Sequence, residues 1–156
     1  MAEVKRILVV DDDEKVVSTI SSYLVLKGYS VDTAKTGQEA ITKCQKHFFN
    51  LAILDIRLPD MEGTQLLTQL RHLEPRMMNI MLTGYPGFEN SVESLNKGAD
   101  AYIVKPVELE VLLKVIADKL GEQTEALKMD QKKLVEYIKS RGRELDQQTG
   151  LDKIQS

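Results

Sequence analysis

Leu51–Asp55 (LAILD) is a continuous apolar run of strand length that ends at a carboxylate. Such a run is typical of a central parallel strand that is buried on both faces of a sheet. The run Ile7–Val10 is likewise followed by Asp11. A third run, Tyr102–Val104, is followed by Lys105. Since the carboxyl ends of parallel strands meet at one edge of a sheet, we expect the charged residues to lie together there.

Around these runs the chain alternates between strand-length and helix-length segments. Apolar residues recur at helical spacing, and glycine or proline marks most segment ends. The pattern predicts an α/β fold, namely an open, doubly wound, five-stranded parallel sheet with helices on both faces and right-handed crossovers. The later predicted elements are a fourth strand at Asn79–Leu82, a polar fourth helix at Glu89–Asn96 and an apolar fifth helix at Pro106–Leu120.

The length and composition suit one compact domain with an excess at its C-terminal end. The chain has 156 residues, of which 42% are hydrophobic, and a formal net charge of −3. We therefore expect one domain at 1–121 and a helical or linker-like extension at 122–156. The negative charge argues against direct nucleic acid binding driven mainly by electrostatics. The N-terminal apolar run is too short for a signal peptide or a membrane span, so we expect a cytoplasmic protein with no membrane contact.

Polar residues at the predicted strand ends point to phosphate chemistry. Asp11, Asp12 and Asp55 would converge at one sheet edge, where their negative charges repel unless a cation lies between them. Mg²⁺ fits this requirement because it prefers oxygen ligands and keeps positions open for water and phosphate oxygens. Thr83 would supply a hydroxyl and Lys105 a positive charge. With the metal, they could hold the oxygens of a phosphoryl group carried by an aspartate.

Each of these residues also has a purely structural interpretation. An aspartate after a strand is often a helix N-cap, and Asp13 fits that role before the first helix. Because three aspartates are consecutive, Asp13 is also the reserve candidate for the metal site. Thr83 could satisfy a turn, and Lys105 could be a surface lysine before a helix-starting proline. The joint occurrence at the strand ends favours the functional interpretation.

Four motifs stand in order along the chain, namely Ile7–Asp12, Leu54–Gly63, Met81–Gly84 and Gly98–Pro106. In sequence and in spacing they resemble the motifs of response regulator receiver domains. The resemblance extends over about residues 4–120 and implies a flavodoxin-like (βα)5 fold. It also implies a phosphoacceptor function in two-component signalling.

The resemblance implies a phosphorylation site and a metal site. Asp55 would accept a phosphoryl group from a sensor histidine kinase or a phosphotransfer protein. Asp11 and Asp12 would hold Mg²⁺ together with Asp55, and the backbone carbonyl of Arg57 would complete the metal site.

The resemblance also implies a conformational switch. Thr83 and Lys105 would bind the phosphoryl oxygens, and Tyr102 would turn inward when Thr83 moves toward the phosphate. The bond between Lys105 and Pro106 would be cis. The output surface would then comprise the fourth helix, the fifth strand and the fifth helix, because Thr83 and Tyr102 flank it. Through this surface the switch would control a partner protein or the formation of a homodimer.

The segment beyond Gly121 lies outside the resemblance. Ten positions alternate in steps of four and three residues, and seven of them are apolar. This heptad seam predicts that the fifth helix continues as an imperfect coiled coil, through which the protein would form a homodimer. A solvated helix, a frayed linker and a linker toward an output domain are the alternatives. The seam consists of Leu113, Ala117, Leu120, Thr124, Leu127, Gln131, Leu134, Ile138, Arg141 and Leu145.

The expected function is a phosphoacceptor switch and not a metabolic enzyme. Such a switch would catalyse only its own phosphorylation from a donor and its own dephosphorylation. An alternative is a phosphohydrolase with an aspartyl nucleophile, but that class normally has a second aspartate two residues later, where this chain has Arg57. An unphosphorylated docking module is the third interpretation, disfavoured because no site residue is missing.

Overall fold

The computed structural model describes residues 3–84 and 93–155, with side chains up to residue 147. Strands alternate with helices along the chain, and a short helical segment at 93–96 precedes the last strand. The strands are β1 (Arg6–Val10), β2 (Ser30–Ala34), β3 (Leu51–Asp55), β4 (Met78–Thr83) and β5 (Ala101–Val104). The helices are α1 (Glu14–Leu26), α2 (Gly37–Lys46), α3 (Gly63–Leu73) and the C-terminal helix (Leu109–Gln155).

The strands form one parallel sheet in the order β2-β1-β3-β4-β5. The chain adds β2 on one side of β1 and the later strands on the other, so the strand order reverses at β1 and β3. The predicted five-stranded parallel α/β fold is thus confirmed. β4 is one residue longer at each end than the prediction. The predicted fourth helix is described only at 93–96, and the remainder of it lies outside the described residues.

Helices cover both faces of the sheet, and each face has its own hydrophobic core. On one face, α2 and α3 pack through Ala40, Leu66 and Leu70 against alternate strand residues such as Leu54. On the other, α1 packs through Ile20 and Leu24, and the C-terminal helix through Leu112, Ile116 and Leu120. Every residue of β3 is buried, because this strand lies in the middle of the sheet with helices on both sides.

The caps of α1 and α2 come from side chains that precede them. The Asp13 carboxylate accepts hydrogen bonds from the backbone N–H groups of Lys15 and Val16, so its predicted N-cap role is confirmed. Thr36 Oγ1 accepts a hydrogen bond from Glu39 N at 3.1 Å. Both caps set the first turn of a helix directly after a strand that leads to the carboxyl edge of the sheet.

The C-terminal helix begins at Leu109, three residues later than predicted, and runs to Gln155 through Gly121 and Gly142. Pro106 therefore stays outside the helix, whose first turn contains the bond from Leu112 N to Glu108 O. By their internal contacts the residues form two units, Met1–Leu120 and Gly121–Ser156. Among the described residues, no helix combines the length and the apolar character needed to cross a membrane.

Candidate functional site

The residues predicted to act together lie at the carboxyl edge of the sheet. Val10 pairs with Leu54, so the next residues, Asp11 and Asp55, stand at the same level on neighbouring strands. Thr83 ends β4 and pairs with Val104, the residue before Lys105. The edge lies where the strand order reverses, which is where open α/β sheets bind ligands.

Three carboxylates form an acidic group at this edge. Asp11, Asp12 and Asp55 each offer one oxygen, and these oxygens all lie within 4.8 Å of one another. Asp11 is 1% exposed and Asp55 is 7% exposed, whereas Asp12 is open to solvent. The donor set consists of oxygen atoms, two of its members are buried, and one side is open. This combination fits a hard cation such as Mg²⁺ that also keeps water or phosphate oxygens as ligands.

Lys105 bridges two of the carboxylates. Its Nζ lies 2.8 Å from Asp11 Oδ2 and 3.6 Å from Asp55 Oδ2. Burial lowers the pKa of Lys105, but the hydrogen bond to Asp11 and the negative charges around it outweigh this effect and raise the pKa above its usual value. Lys105 therefore stays charged and offers a fixed positive group beside Asp55.

Asp55 has a strongly shifted pKa. Burial and then repulsion from Asp11 raise the pKa of Asp55 from 3.8 to about 6, against the opposing effects of Lys105 and the Arg57 backbone N–H. Without a further cation the site therefore holds a proton more tightly than an exposed aspartate would. A bound divalent cation would displace that proton, which agrees with the fit of Mg²⁺ to the acidic group.

The remaining predicted residues lie close to this edge. Arg57 N lies 3.5 Å from Asp55 Oδ1, while the Arg57 side chain is exposed. Thr83 is fully buried, and its carbonyl accepts a hydrogen bond from Lys105 N at 2.6 Å. Tyr102 packs against the core beneath α2 and α3, and its buried hydroxyl has no hydrogen-bond partner among the described residues. The Lys105–Pro106 bond is cis. The catalytic, switch and metal roles of these residues stay predictions.

Asp13 lies next to the acidic group but has a different role. Its side chain caps α1, and its backbone N–H donates to Asp11 Oδ1 at 2.9 Å. Asp13 thus helps to orient Asp11. The three carboxylates that converge are those of the first two aspartates of the run and Asp55, as predicted.

A tight loop after Asp55 contains contacts that the sequence pattern does not predict. We refer to residues 57–62 as the β3–α3 loop. Arg57 pairs with Glu62 in an antiparallel bridge, and Leu58 N donates to Met61 O at 3.2 Å. At its end, a Cβ on Gly63 would lie 2.1 Å from the Asp55 carbonyl oxygen. The only sequence signal for this contact is the glycine that closes the Leu54–Gly63 motif.

Comparison with known proteins agrees with this geometry. The family description that matches the chain is "Response regulator receiver domain", over residues 7–117. A solved CheY-like response regulator receiver domain protein from Methanospirillum hungatei is 51% identical, with a TM-score of 0.78. That match covers 80% of this chain and 99% of the solved chain. A response regulator from Burkholderia pseudomallei, solved with a phosphorylated aspartic acid, a calcium ion and citrate, is 31% identical with a TM-score of 0.70. It covers 80% of this chain and 74% of that one.

Curated relatives are longer than this chain. Regulatory protein VanRB of Enterococcus faecalis is 37% identical over 70% of this chain and 49% of its own length. Regulatory protein AtoC of Escherichia coli is 32% identical over 80% of this chain and 27% of its own length. The chain thus spans between about a quarter and a half of these relatives. The extent of the family match and the identity to these relatives establish that the chain belongs to the response regulator receiver domain family.

Proposed function

We propose that this chain is a two-component phosphoacceptor switch that takes a phosphoryl group on Asp55 in a Mg²⁺-dependent reaction. The donor would be a sensor histidine kinase or a phosphotransfer protein. The observation that supports this proposal best is the arrangement around Asp55, which places two further carboxylates and the Lys105 ammonium within a few ångströms of one buried acceptor.

Each residue of the site would have a separate role in the transfer of the phosphoryl group. A carboxylate oxygen of Asp55 forms the new bond to phosphorus while the bond from phosphorus to the donor nitrogen breaks. Lys105 neutralises charge on the phosphoryl oxygens, and the Thr83 hydroxyl hydrogen-bonds to one of them. Mg²⁺, held by Asp11, Asp12, Asp55 and the Arg57 carbonyl, would neutralise the remaining negative charge.

The output of the switch would be the surface of the 93–96 region, β5 and the start of the C-terminal helix. Three large apolar side chains are exposed there, namely Leu95, Val104 and Val111. Thr83 pairs directly with Val104, so movement of Thr83 toward a phosphoryl group would change the conformation of this surface. We propose that it binds a partner protein or a second copy of the chain in a phosphorylation-dependent way.

We propose a switch that acts only on itself, through its own phosphorylation and dephosphorylation. A phosphohydrolase would need an acid/base two residues after Asp55, where the chain has Arg57, and a docking module would not need the acidic group. We further propose a cytoplasmic location. Several relatives are transcriptional regulators. We propose that this chain itself does not bind nucleic acid directly, because its net charge of −3 opposes attraction to phosphates.

Intact mass spectrometry after incubation with acetyl phosphate tests the proposed function. We expect an increase of one phosphoryl group in the presence of Mg²⁺ and no increase with excess EDTA. The matched control is the same reaction with a high concentration of a monovalent salt in place of Mg²⁺. An increase that persists in EDTA, or release of phosphate from many turnovers of a phosphate ester, would contradict a Mg²⁺-dependent switch.

We also propose that the part of the seam beyond Gly121 mediates self-association. The first part of the predicted seam does not face outward, because Leu120 is buried and Leu113 packs against the same core under the sheet. Of the seven seam positions from Thr124 to Leu145, Arg141 alone is charged, while the other charged residues of this segment lie off the seam. Leu134 is 59% exposed and Ile138 is 58% exposed. A second copy of the same helix suits this surface, because identical heptad positions align across a two-fold axis and Gln131 would fix the register.

Charges placed on the seam should dissociate the dimer. We expect the wild-type chain to be a dimer by light scattering at micromolar concentration and the Leu134→Glu/Ile138→Glu variant to be a monomer. The dissociation constant should rise about 100-fold or more, because four carboxylates would be buried without partners. Met129→Glu is the control, since Met129 is 54% exposed on the opposite side of the helix. A double variant that stays dimeric would contradict the seam and direct attention to Val111 on the output surface.

A further inference from the structure

The β3–α3 loop is fastened to the N-terminus of α2 by a carboxylate at its tip. Asp60 Oδ1 accepts a hydrogen bond from Gly37 N at 2.8 Å, and Asp60 Oδ2 accepts one from Gln38 N at 2.9 Å. These are the first two N–H groups of α2, which have no partner within the helix. Thr36 accepts from the third, Glu39 N. The start of α2 is therefore completed by a residue that lies 22 to 23 positions further along the chain.

A second contact fixes the same loop by packing. A Cβ on Gly37 would lie 2.4 Å from Met61 Sδ, so the methionine rests directly on the backbone of α2. Met61 also packs against the core beneath α2 and α3. Two consecutive loop residues, one charged and one apolar, thus hold the loop tip against the helix start.

The base of the loop carries groups of the phosphorylation site. Arg57 and Glu62 are paired, Leu58 N donates to Met61 O, and Gly63 N donates to Ile56 O at 2.5 Å. Because the loop is only six residues long and is bonded across itself, the position of its tip constrains the backbone of Arg57. That backbone also donates toward Asp55 Oδ1.

We propose that Asp60 is a positioning residue for Mg²⁺ binding and phosphorylation at Asp55. By capping α2 it holds the β3–α3 loop in the shape that presents the Arg57 backbone to the acidic group, and it touches neither the metal nor the phosphoryl group. The inference rests on the proposed function, since it assigns Asp60 to the same site. A loop freed from α2 would still contain Arg57, but metal binding would then have to order the loop. The lost conformational entropy would weaken the binding.

The test compares three variants of the full chain. Asp60→Ala removes both hydrogen bonds to α2, Asp60→Asn keeps one acceptor oxygen without the charge, and Thr36→Ala removes a cap from the same helix end without touching the loop. Mg²⁺ affinity is measured by NMR titration of backbone amides at about 0.05 M and about 0.5 M salt. At the higher concentration the field of one exposed carboxylate is largely screened. The Mg²⁺ dependence of the phosphorylation rate with acetyl phosphate is measured in parallel.

We expect Asp60→Ala to raise the dissociation constant for Mg²⁺ about tenfold, as is typical when a group that orients a metal ligand is lost. The phosphorylation rate at saturating Mg²⁺ should stay within about twofold of wild type, because no group that contacts the phosphoryl oxygens is changed. The dissociation constant of Asp60→Asn for Mg²⁺ should lie between those of the wild-type chain and Asp60→Ala. Thr36→Ala should lower the melting temperature by a similar amount to Asp60→Ala and leave Mg²⁺ affinity unchanged.

Three results would overturn the inference. They are an unchanged Mg²⁺ affinity in Asp60→Ala, an equal loss of affinity in Thr36→Ala, and an equal loss in Asp60→Asn and Asp60→Ala that vanishes at high salt. The last result would show that the negative charge of Asp60 attracts Mg²⁺ from a distance and does not position the loop. Failure of the wild-type chain to bind Mg²⁺ or to be phosphorylated would instead reject the proposed function, so the two failures are distinguishable.

Discussion

Asp55→Asn is expected to raise the free energy of unfolding by about 1–2 kcal/mol at pH 7.5 in the absence of divalent cations. Burial and repulsion from Asp11 raise the pKa of Asp55 from 3.8 to about 6 in the folded chain. A carboxyl group with a raised pKa is protonated more readily in the folded than in the unfolded state, so ionisation destabilises the fold. A shift of this size corresponds to about 3 kcal/mol, which we reduce because solvent screens part of it.

The pH dependence of the free energy of unfolding tests whether ionisation of Asp55 destabilises the fold. The wild-type chain should lose the Asp55 contribution as the pH rises from about 4 to about 6, whereas Asp55→Asn should lack this loss. Urea unfolding in EDTA across this range measures the difference. Asp12→Asn is the control, because Asp12 is exposed and its removal should change stability less.

The same substitution should abolish function while it stabilises the fold. Asp55→Asn should show no phosphoryl mass increase with acetyl phosphate, and Mg²⁺ should stabilise it much less than it stabilises the wild-type chain. An Asp55→Asn variant that is less stable than wild type in EDTA at pH 7.5 would contradict the electrostatic account of the site.

Gly63→Ala is expected to destabilise the chain by about 3 kcal/mol or more. A Cβ at this position would lie 2.1 Å from the Asp55 carbonyl oxygen and 2.8 Å from Ile56 Cα. Both are backbone atoms, so no side-chain rotation can relieve the overlap. The end of β3 would have to move away from the start of α3, and Asp55 would move with it.

Urea unfolding followed by circular dichroism measures this loss, and a matched glycine serves as its control. Gly142 lies within the C-terminal helix, where a Cβ would meet no atom within 4 Å. Gly142→Ala should therefore favour the helix by about 0.5–1 kcal/mol. A Gly63→Ala variant with the urea midpoint of the wild-type chain would show that the loop can shift without cost.

The sheet and the acidic group could be predicted because their signals are local in sequence. Leu51–Asp55 is apolar throughout because β3 is buried on both faces, and the parallel arrangement alone brings Asp11 and Asp55 to one edge. The roles of the three consecutive aspartates could also be told apart. Asp13 directly precedes a segment with helical periodicity, and its side chain caps the helix α1.

Features that depend on contacts between distant segments were not predicted. Asp60 looks like an ordinary loop residue, since nothing near it in sequence indicates that its partners are Gly37 and Gln38. Because proline commonly opens helices, the sequence predicts that the C-terminal helix starts at Pro106, but the helix begins at Leu109. The heptad seam was visible as a pattern, but a pattern on one chain does not define its partner.

The strand order has a consequence for the chain as it is made. The proposed acceptor Asp55 ends the third of the five strands, but its neighbouring cation Lys105 directly follows the last strand, 94 residues after Asp11, with which it pairs. A nascent chain that has emerged only as far as β4 already contains Asp55 and the other two carboxylates of the acidic group, but it lacks Lys105. We therefore expect an unfinished chain, which lacks this positive charge, to accept a phosphoryl group more slowly than a chain with the complete sheet.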